Sequence, residues 1–93
     1  MPKVKEDKDR PGLFLFNCPG CGCFHFINTN PEYGGVWEFN NDLEKPTAKP
    51  SLLVNKSIPA KRCHSFVTNG KIQFLDDSYH ELKNQTVEIP EFE

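Results

Sequence analysis

CPGCG, residues 18–22, decides how this chain folds, because it carries two cysteines separated by two residues and joins two short apolar stretches. A two-residue gap lets both sulfur atoms face one tetrahedral ion, while the glycines relieve the crowded backbone around it. The flanking residues 13–16 and 23–27 are typical of strands. The segment therefore predicts a β-hairpin closed by a metal-binding turn, with Cys18 and Cys21 as the first two ligands.

A redox role for this CxxC pair is the alternative. That chemistry requires a helix beginning at the motif within a βαβ unit, whereas here a strand is expected to follow. Residues 1–10, MPKVKEDKDR, lack the apolar run of a secretory signal, so we expect a reducing, cytoplasmic location. In such a compartment four cysteines favour metal over disulfides.

A structural zinc ion takes four ligands, so the first pair needs two more. Cys63 opens a predicted hairpin around residues 69–70, Asn-Gly, and is the expected third ligand. His80 follows the far strand of that hairpin by a few residues and is the expected fourth. His64 is the alternative fourth ligand, although alternation along a strand would turn it to the face opposite Cys63. The predicted cofactor is one Zn²⁺ ion.

Other candidates near this site receive different interpretations. Cys23 and His25 share one face of the second strand, and we interpret them as a small buried residue and a hydrogen-bonded surface histidine. Asp76 and Asp77 lie close to His80 in sequence, where they are expected to orient the metal-bound imidazole.

Residues 37–51 combine an aromatic pair, Asn-Asn-Asp and prolines. One interpretation is a ligand-binding lip formed by Trp37, Asn40 and Asp42. The favoured alternative makes Trp37 a core residue and lets the carboxylate of Asp42 bind loop amides.

The rest of the pattern predicts a mainly β fold, a small β-sandwich or open barrel with a CxxC zinc knuckle and one short helical turn. We expect residues 1–10 to be a flexible polar leader and residues 11–93 to form a single zinc-stabilised domain. The helical turn is predicted at residues 79–83, and further strands at residues 36–39, 51–54, 63–68, 71–75 and towards the end of the chain.

Composition restricts the partners. Eleven basic and thirteen acidic residues give a net charge of -2, which provides no general attraction for nucleic acid. The longest stretch poor in charge is broken by Asn, Pro and Gly, so no membrane span is expected. A protein partner is the remaining expectation.

Three segments carry a resemblance to known proteins: CPGCG at residues 18–22, WEFNNDLEKPTAKPSLLV at residues 37–54 and CHSFVTNGKIQFLDDSYHELKNQTVEIPEF at residues 63–92. The chain resembles a family of small bacteriophage and prophage proteins, some of which are named ammonia monooxygenase. The absence of a predicted membrane span does not support that name. The resemblance implies phage origin, expression in a bacterial cytoplasm and an accessory role such as binding a host factor.

The leading functional hypothesis is a phage-type protein with a structural zinc ion that acts as a binding or accessory module, in host-factor binding or counter-defence. One alternative is a small zinc-dependent hydrolase that uses His64 or His80 with a nearby aspartate. Another is a minor structural component of the virion.

Overall fold

The computed structural model describes residues 2–55 and 57–92, which fold mainly into antiparallel β-structure. The predicted mainly β class is confirmed. The helical segments of the described chain are two 3-10 turns, Pro31–Tyr33 and Pro59–Lys61. No helix in these ranges is both long enough and apolar enough to traverse a bilayer. The strands are β1 Lys5–Glu6, β2 Leu13–Asn17, β3 Phe24–Asn28, β4 Glu38–Phe39, β5 Ala48–Val54, β6 Cys63–Thr68, β7 Lys71–Phe74 and β8 Thr86–Glu88.

These strands form two sheets, one of three strands in the order β1-β2-β3 and one of five in the order β4-β5-β6-β7-β8. Alternation along each strand turns one set of side chains inward, and the inward sets of both sheets join in one buried cluster. The largest fully buried side chains of that cluster, from both sheets and the segments beside them, are Val4, Phe16, Ile27, Val67, Ile72, Phe74 and Ile89.

The predicted Asn-Gly hairpin is present as β6 and β7. Asn69 and Gly70 both adopt positive φ, +51° and +80°, as a two-residue hairpin turn requires. Ser65 pairs with Phe74 and Thr68 with Lys71, so the register follows directly from the turn.

Residues 4–6 and residues 79–83 differ from expectation. Residues 4–6 belong to the folded part of the chain, because Val4 is fully buried and Lys5 pairs with Leu15. An isolated valine in a charged segment shows no periodicity, so strand β1 and the burial of Val4 were not predictable from the residues around them. Residues 79–83 form turns and no helix. There the Tyr79 amide donates to the carbonyl of Arg62 rather than within a helical turn.

Strand β5 begins earlier than predicted and runs through Pro50. Proline is tolerated there because β4 pairs only with Ala48 and Lys49, which leaves the later part of β5 at an edge. Pairing with β6 shifts register between Ala48 and Leu52. The irregular stretch between those residues holds Ser51.

Candidate functional site

Strand β6 carries chemically active side chains on both of its faces. Cys63 is buried, His64 is partly exposed and Ser65 is buried, as strand alternation dictates. Each of the first two belongs to a different cluster of functional groups. The first cluster faces the core and the second faces solvent.

Four donors form the core-facing cluster: Cys18, Cys21, His25 and Cys63, whose ligand atoms all lie within 4.8 Å of one another. They are close enough together to bind a metal ion. The predicted cysteines are therefore brought together, with His25 as their neighbour.

The CPGCG turn positions the first two donors. The Cys18 amide donates to the Cys23 carbonyl at 2.9 Å, and the Gly22 amide donates to the Cys18 carbonyl at 2.9 Å. Gly22 has φ of +70°, a conformation that side chains disfavour. The Cys21 amide also points at the Cys18 sulfur, 3.4 Å away. Together these bonds fold the turn around one point.

In the absence of a cation, ionisation of one thiol in this cluster disfavours ionisation of the other two. The pKa of Cys18 is lowered to about 4, chiefly because the Cys63 thiol donates a hydrogen bond to it. That bond raises the pKa of Cys63, and burial together with the Cys18 charge raises the pKa of Cys21 to about 11. Only a cation would allow all three to ionise together. All four cysteines of the chain are free.

His25 fits a metal ligand in a second respect. Its Nδ1 lies 3.2 Å from the Phe24 carbonyl and donates to it when protonated, which leaves Nε2 with its lone pair. That Nε2 atom is buried and has no hydrogen-bond partner among the described residues.

The interpretation of His25 as a surface residue and Cys23 as a buried one is wrong. His25 is 3% exposed, whereas Cys23 is exposed. The register places His25 opposite Phe16 on the core face and leaves Phe24 and Phe26 outside. Hydrophobicity alone predicts the opposite orientation, because phenylalanine is buried more often than histidine and this strand has two phenylalanines on its other face.

His80 lies at the border of the cluster. Its Nε2 is 3.4 Å from the Cys63 sulfur, and its ring packs so closely on Gly20 that a Cβ there would overlap it. Burial lowers the pKa of His80, and its Nδ1 has no hydrogen-bond partner in the described chain. The prediction of His80 as a ligand stays a prediction, with His25 as the competing donor.

On the solvent face, three side chains form a continuous hydrogen-bonded series. His64 Nε2 lies 2.9 Å from Ser51 Oγ, and His64 Nδ1 lies 3.2 Å from each carboxylate oxygen of Asp77. A carboxylate only accepts, so it holds the imidazole proton on Nδ1 and leaves Nε2 to accept from the serine hydroxyl. The side chains of His64 and Asp77 are 24% and 36% exposed, so the series is open to water.

The sheet explains how these three residues meet. Leu53 pairs directly with His64, and Ser51 is two residues earlier on the same strand, so it is a diagonal neighbour of the histidine. Asp77 follows β7 in a turn that is tied back to β6. There the Leu75 amide donates to the His64 carbonyl at 2.9 Å.

Ser78 completes that tie. Its buried hydroxyl accepts from the His64 amide at 3.1 Å and donates to the His64 carbonyl at 3.0 Å. The backbone of the histidine is thus held from one side by a turn that also presents Asp77. Since both ring nitrogens of His64 are engaged with Ser51 and Asp77, the alternative fourth metal ligand is directed away from the cysteines.

The remaining predicted residues lie apart from the cysteines. Trp37 Nε1 donates to the Ser51 carbonyl at 3.3 Å. Asn40 Nδ2 donates to the Lys45 carbonyl, and Asp42 accepts from the amides of its own loop, which lowers the pKa of its carboxyl. Asp76 is exposed in the turn that carries Asp77.

Sequence reasoning did not identify the series because its serine carries no local signal. Ser51 follows Pro50 in a strand, without the glycines that flank many nucleophilic serines. Strand alternation alone predicted that His64 points away from Cys63. Cross-strand pairing was needed to add Ser51.

Over residues 2–75 the chain matches the model of a family described as "Bacterial ubiquitination-like system serine protease (BubE)". No curated protein and no solved structure matches it. The matched range includes Ser51 and His64, and Asp77 lies just beyond its end. The family match overturns the predicted function, so the hypothesis of a phage binding or accessory module, together with its zinc-hydrolase and virion alternatives, is wrong. It supports a bacterial family and gives no support to a phage origin.

Proposed function

The chain belongs to the bacterial ubiquitination-like system serine protease family, and on that premise we propose that it is a serine protease whose catalytic triad is Ser51, His64 and Asp77. One observation carries the proposal, the unbroken series of hydrogen bonds from Ser51 Oγ through the imidazole to the carboxylate. A nucleophile, a base in contact with it and a third group that orients the base define such a site by geometry, whatever their order in the chain.

Each group has a separate task in the reaction. Ser51 Oγ attacks the carbonyl carbon of the scissile bond while His64 Nε2 takes the hydroxyl proton. His64 then gives that proton to the leaving amine, and Ser51 is left as an ester of the acyl fragment. Water deprotonated by the same nitrogen hydrolyses the ester. Asp77 stabilises the imidazolium formed in each half of the cycle.

The substrate class follows from the family description and from the exposure of the triad. A ubiquitination-like system joins a small protein through its terminal carbonyl, so its protease hydrolyses an acyl bond of a protein. The triad lies on an open face of the sheet, where a chain segment of a folded protein has access. We therefore propose a protein partner, and that partner is the substrate.

We further propose that the core-facing cluster binds one Zn²⁺ ion, with Cys18, Cys21, Cys63 and His25 as ligands and His80 as the competing fourth donor. Thiolates and imidazole are the ligands that zinc prefers in tetrahedral sites. The ion would tie the β2–β3 turn to β6 directly behind His64. Four free cysteines also support the expected reducing, cytoplasmic compartment.

A fluorophosphonate probe tests the nucleophile, since it esterifies only an activated serine. We expect stoichiometric labelling of the wild-type protein at Ser51, located by mass spectrometry of the digested chain, and no labelling of Ser51→Ala. Ser57→Ala, which changes an exposed loop serine, is the matched control and should label like wild type. Labelling that persists in Ser51→Ala would contradict the proposal.

A further inference from the structure

The outer edge of β5 is only partly covered. β4 pairs with Ala48 and Lys49, and no other described strand pairs with β5 on that side. At Ser51 the carbonyl accepts instead from the indole of Trp37, where a neighbouring strand would supply a backbone amide. Among the residues that the structure describes, no strand pairs with this edge beyond Ser51. The edge is therefore free to accept another strand there.

A groove of about 350 Å³ runs beside this open edge. One wall comes from β3, through Phe24, His25 and Phe26, and the other from β5, through residues 52–54, with Trp37 completing the lining. Phe24, Phe26 and Leu53 are 51%, 43% and 39% exposed, a large apolar area to leave in contact with water.

The groove is continuous with the proposed nucleophile. Leu53 lies two residues beyond Ser51 on the same face of β5, which corresponds to about 7 Å along a strand. Any chain seated in the groove and continuing along β5 therefore arrives at Ser51 Oγ within about two residues.

We infer that this groove binds the acyl side of the substrate, the residues immediately before the scissile bond, as an extended antiparallel strand added to β5 with apolar side chains against Phe24, Phe26 and Leu53. The inference rests on the proposed protease function. Strand addition to an open sheet edge provides affinity through backbone hydrogen bonds and specificity through alternate side chains.

The direction of the substrate follows from the fold. Every strand pair in both sheets is antiparallel. β5 runs from Ser51 into the groove, so an antiparallel partner runs out of the groove towards Ser51. Its carboxyl-terminal end is then presented to the nucleophile, which is the polarity of an acyl donor.

Two coumarin amides test the inference: acetyl-Leu-Val-Leu-Ala and acetyl-Ser-Thr-Ser-Ala as acyl groups. We expect wild-type kcat/KM to favour the apolar peptide at least tenfold, on the order of what apolar pockets achieve. Leu53→Ser should lower that ratio about tenfold. Leu43→Ser is the matched control, since Leu43 is exposed to a similar extent, 37%, and does not line the groove. An unchanged ratio in Leu53→Ser would overturn the inference.

Binding separates this inference from the proposed function. Fluorescence anisotropy of the labelled apolar peptide with Ser51→Ala reports the groove without turnover, and it should show binding that Leu53→Ser in the same background weakens about tenfold. Fluorophosphonate labelling of the wild-type protein at Ser51 reports the triad independently of peptide binding. If wild type is labelled normally but the apolar peptide is neither preferred nor bound, the groove inference is overturned and the triad stands. If wild type is not labelled, the triad is overturned and the substrate assignment with it.

Discussion

The two faces of β6 place adjacent residues in opposite environments. Cys63 faces a core in which three thiols and an imidazole share a buried space, and His64 faces solvent between a hydroxyl and a carboxylate. Buried thiolates repel one another and need a cation, whereas the exposed series is balanced by its own hydrogen bonds. The core-facing cluster is therefore expected to control stability, and the exposed series to control turnover.

Removal of the nucleophile is the strongest test of that division. Ser51→Ala should lower kcat by about 10⁶-fold, as loss of the serine does in other triads, because no group remains to form the ester. Metal content and thermal stability should match wild type, since the side chain lies on the face opposite the cysteines. Peptide hydrolysis and elemental analysis measure the two. Loss of metal in this variant would show that the faces are not independent.

Asp77→Asn gives the next largest effect. The amide no longer holds the proton on His64 Nδ1, so the serine meets the wrong tautomer and kcat falls by about 10⁴-fold. Asp76→Asn, which alters the exposed neighbour in the same turn, serves as the control and should keep wild-type kcat. Equal losses in both variants would mean that the charge of the turn matters rather than the contact with His64.

Cys63→Ser moves the test to the core face. Loss of one buried thiolate should release the metal and lower the free energy of unfolding by about 4 kcal/mol or more, the range of mutations that remove a metal. Chemical denaturation with elemental analysis measures this. Cys23→Ser changes an exposed cysteine outside the cluster and should leave both properties unaltered. A stable Cys63→Ser protein would contradict the assignment of the metal to the stability of the fold.

The smallest expected effect is the difference in zinc affinity between variants of His25 and His80. His25→Ala should abolish stoichiometric zinc binding, whereas His80→Ala should weaken it only about tenfold, the lower range for a residue beside the ligands. Competition with a chelator gives the affinities, and the visible spectrum of the cobalt-substituted protein reports whether three sulfurs remain bound. The reverse order of affinities would make His80 the fourth ligand, as the sequence predicted.

Local chemistry decided which parts were predictable. The CPGCG turn and the Asn-Gly hairpin each contain their own geometry within a few residues, so the strands beside them and the meeting of Cys18, Cys21 and Cys63 followed. The alternation that separated Cys63 from His64 was equally local, and it is confirmed by their opposite faces.

The features that the sequence did not predict depend on the register between strands that are distant in the chain. Ser51 meets His64 only because Leu53 pairs with that histidine after an irregular stretch of β5, and no residue near Ser51 announces the pairing. His25 is buried because the β2–β3 register places it opposite Phe16 on the core face. A single sequence does not fix such registers where an apolar alternative, here Phe24 and Phe26 inside, competes with the true one.

The shared strand also has a genetic consequence. A deletion or insertion of one residue near the start of β6 would move every later side chain to the opposite face. After a deletion, His64 would take the position of Cys63 among the thiols, and after an insertion Cys63 would take the position of His64 beside Ser51. Substitutions can alter either face separately, but a change in the length of β6 would disrupt the proposed metal site and the proposed triad in one event.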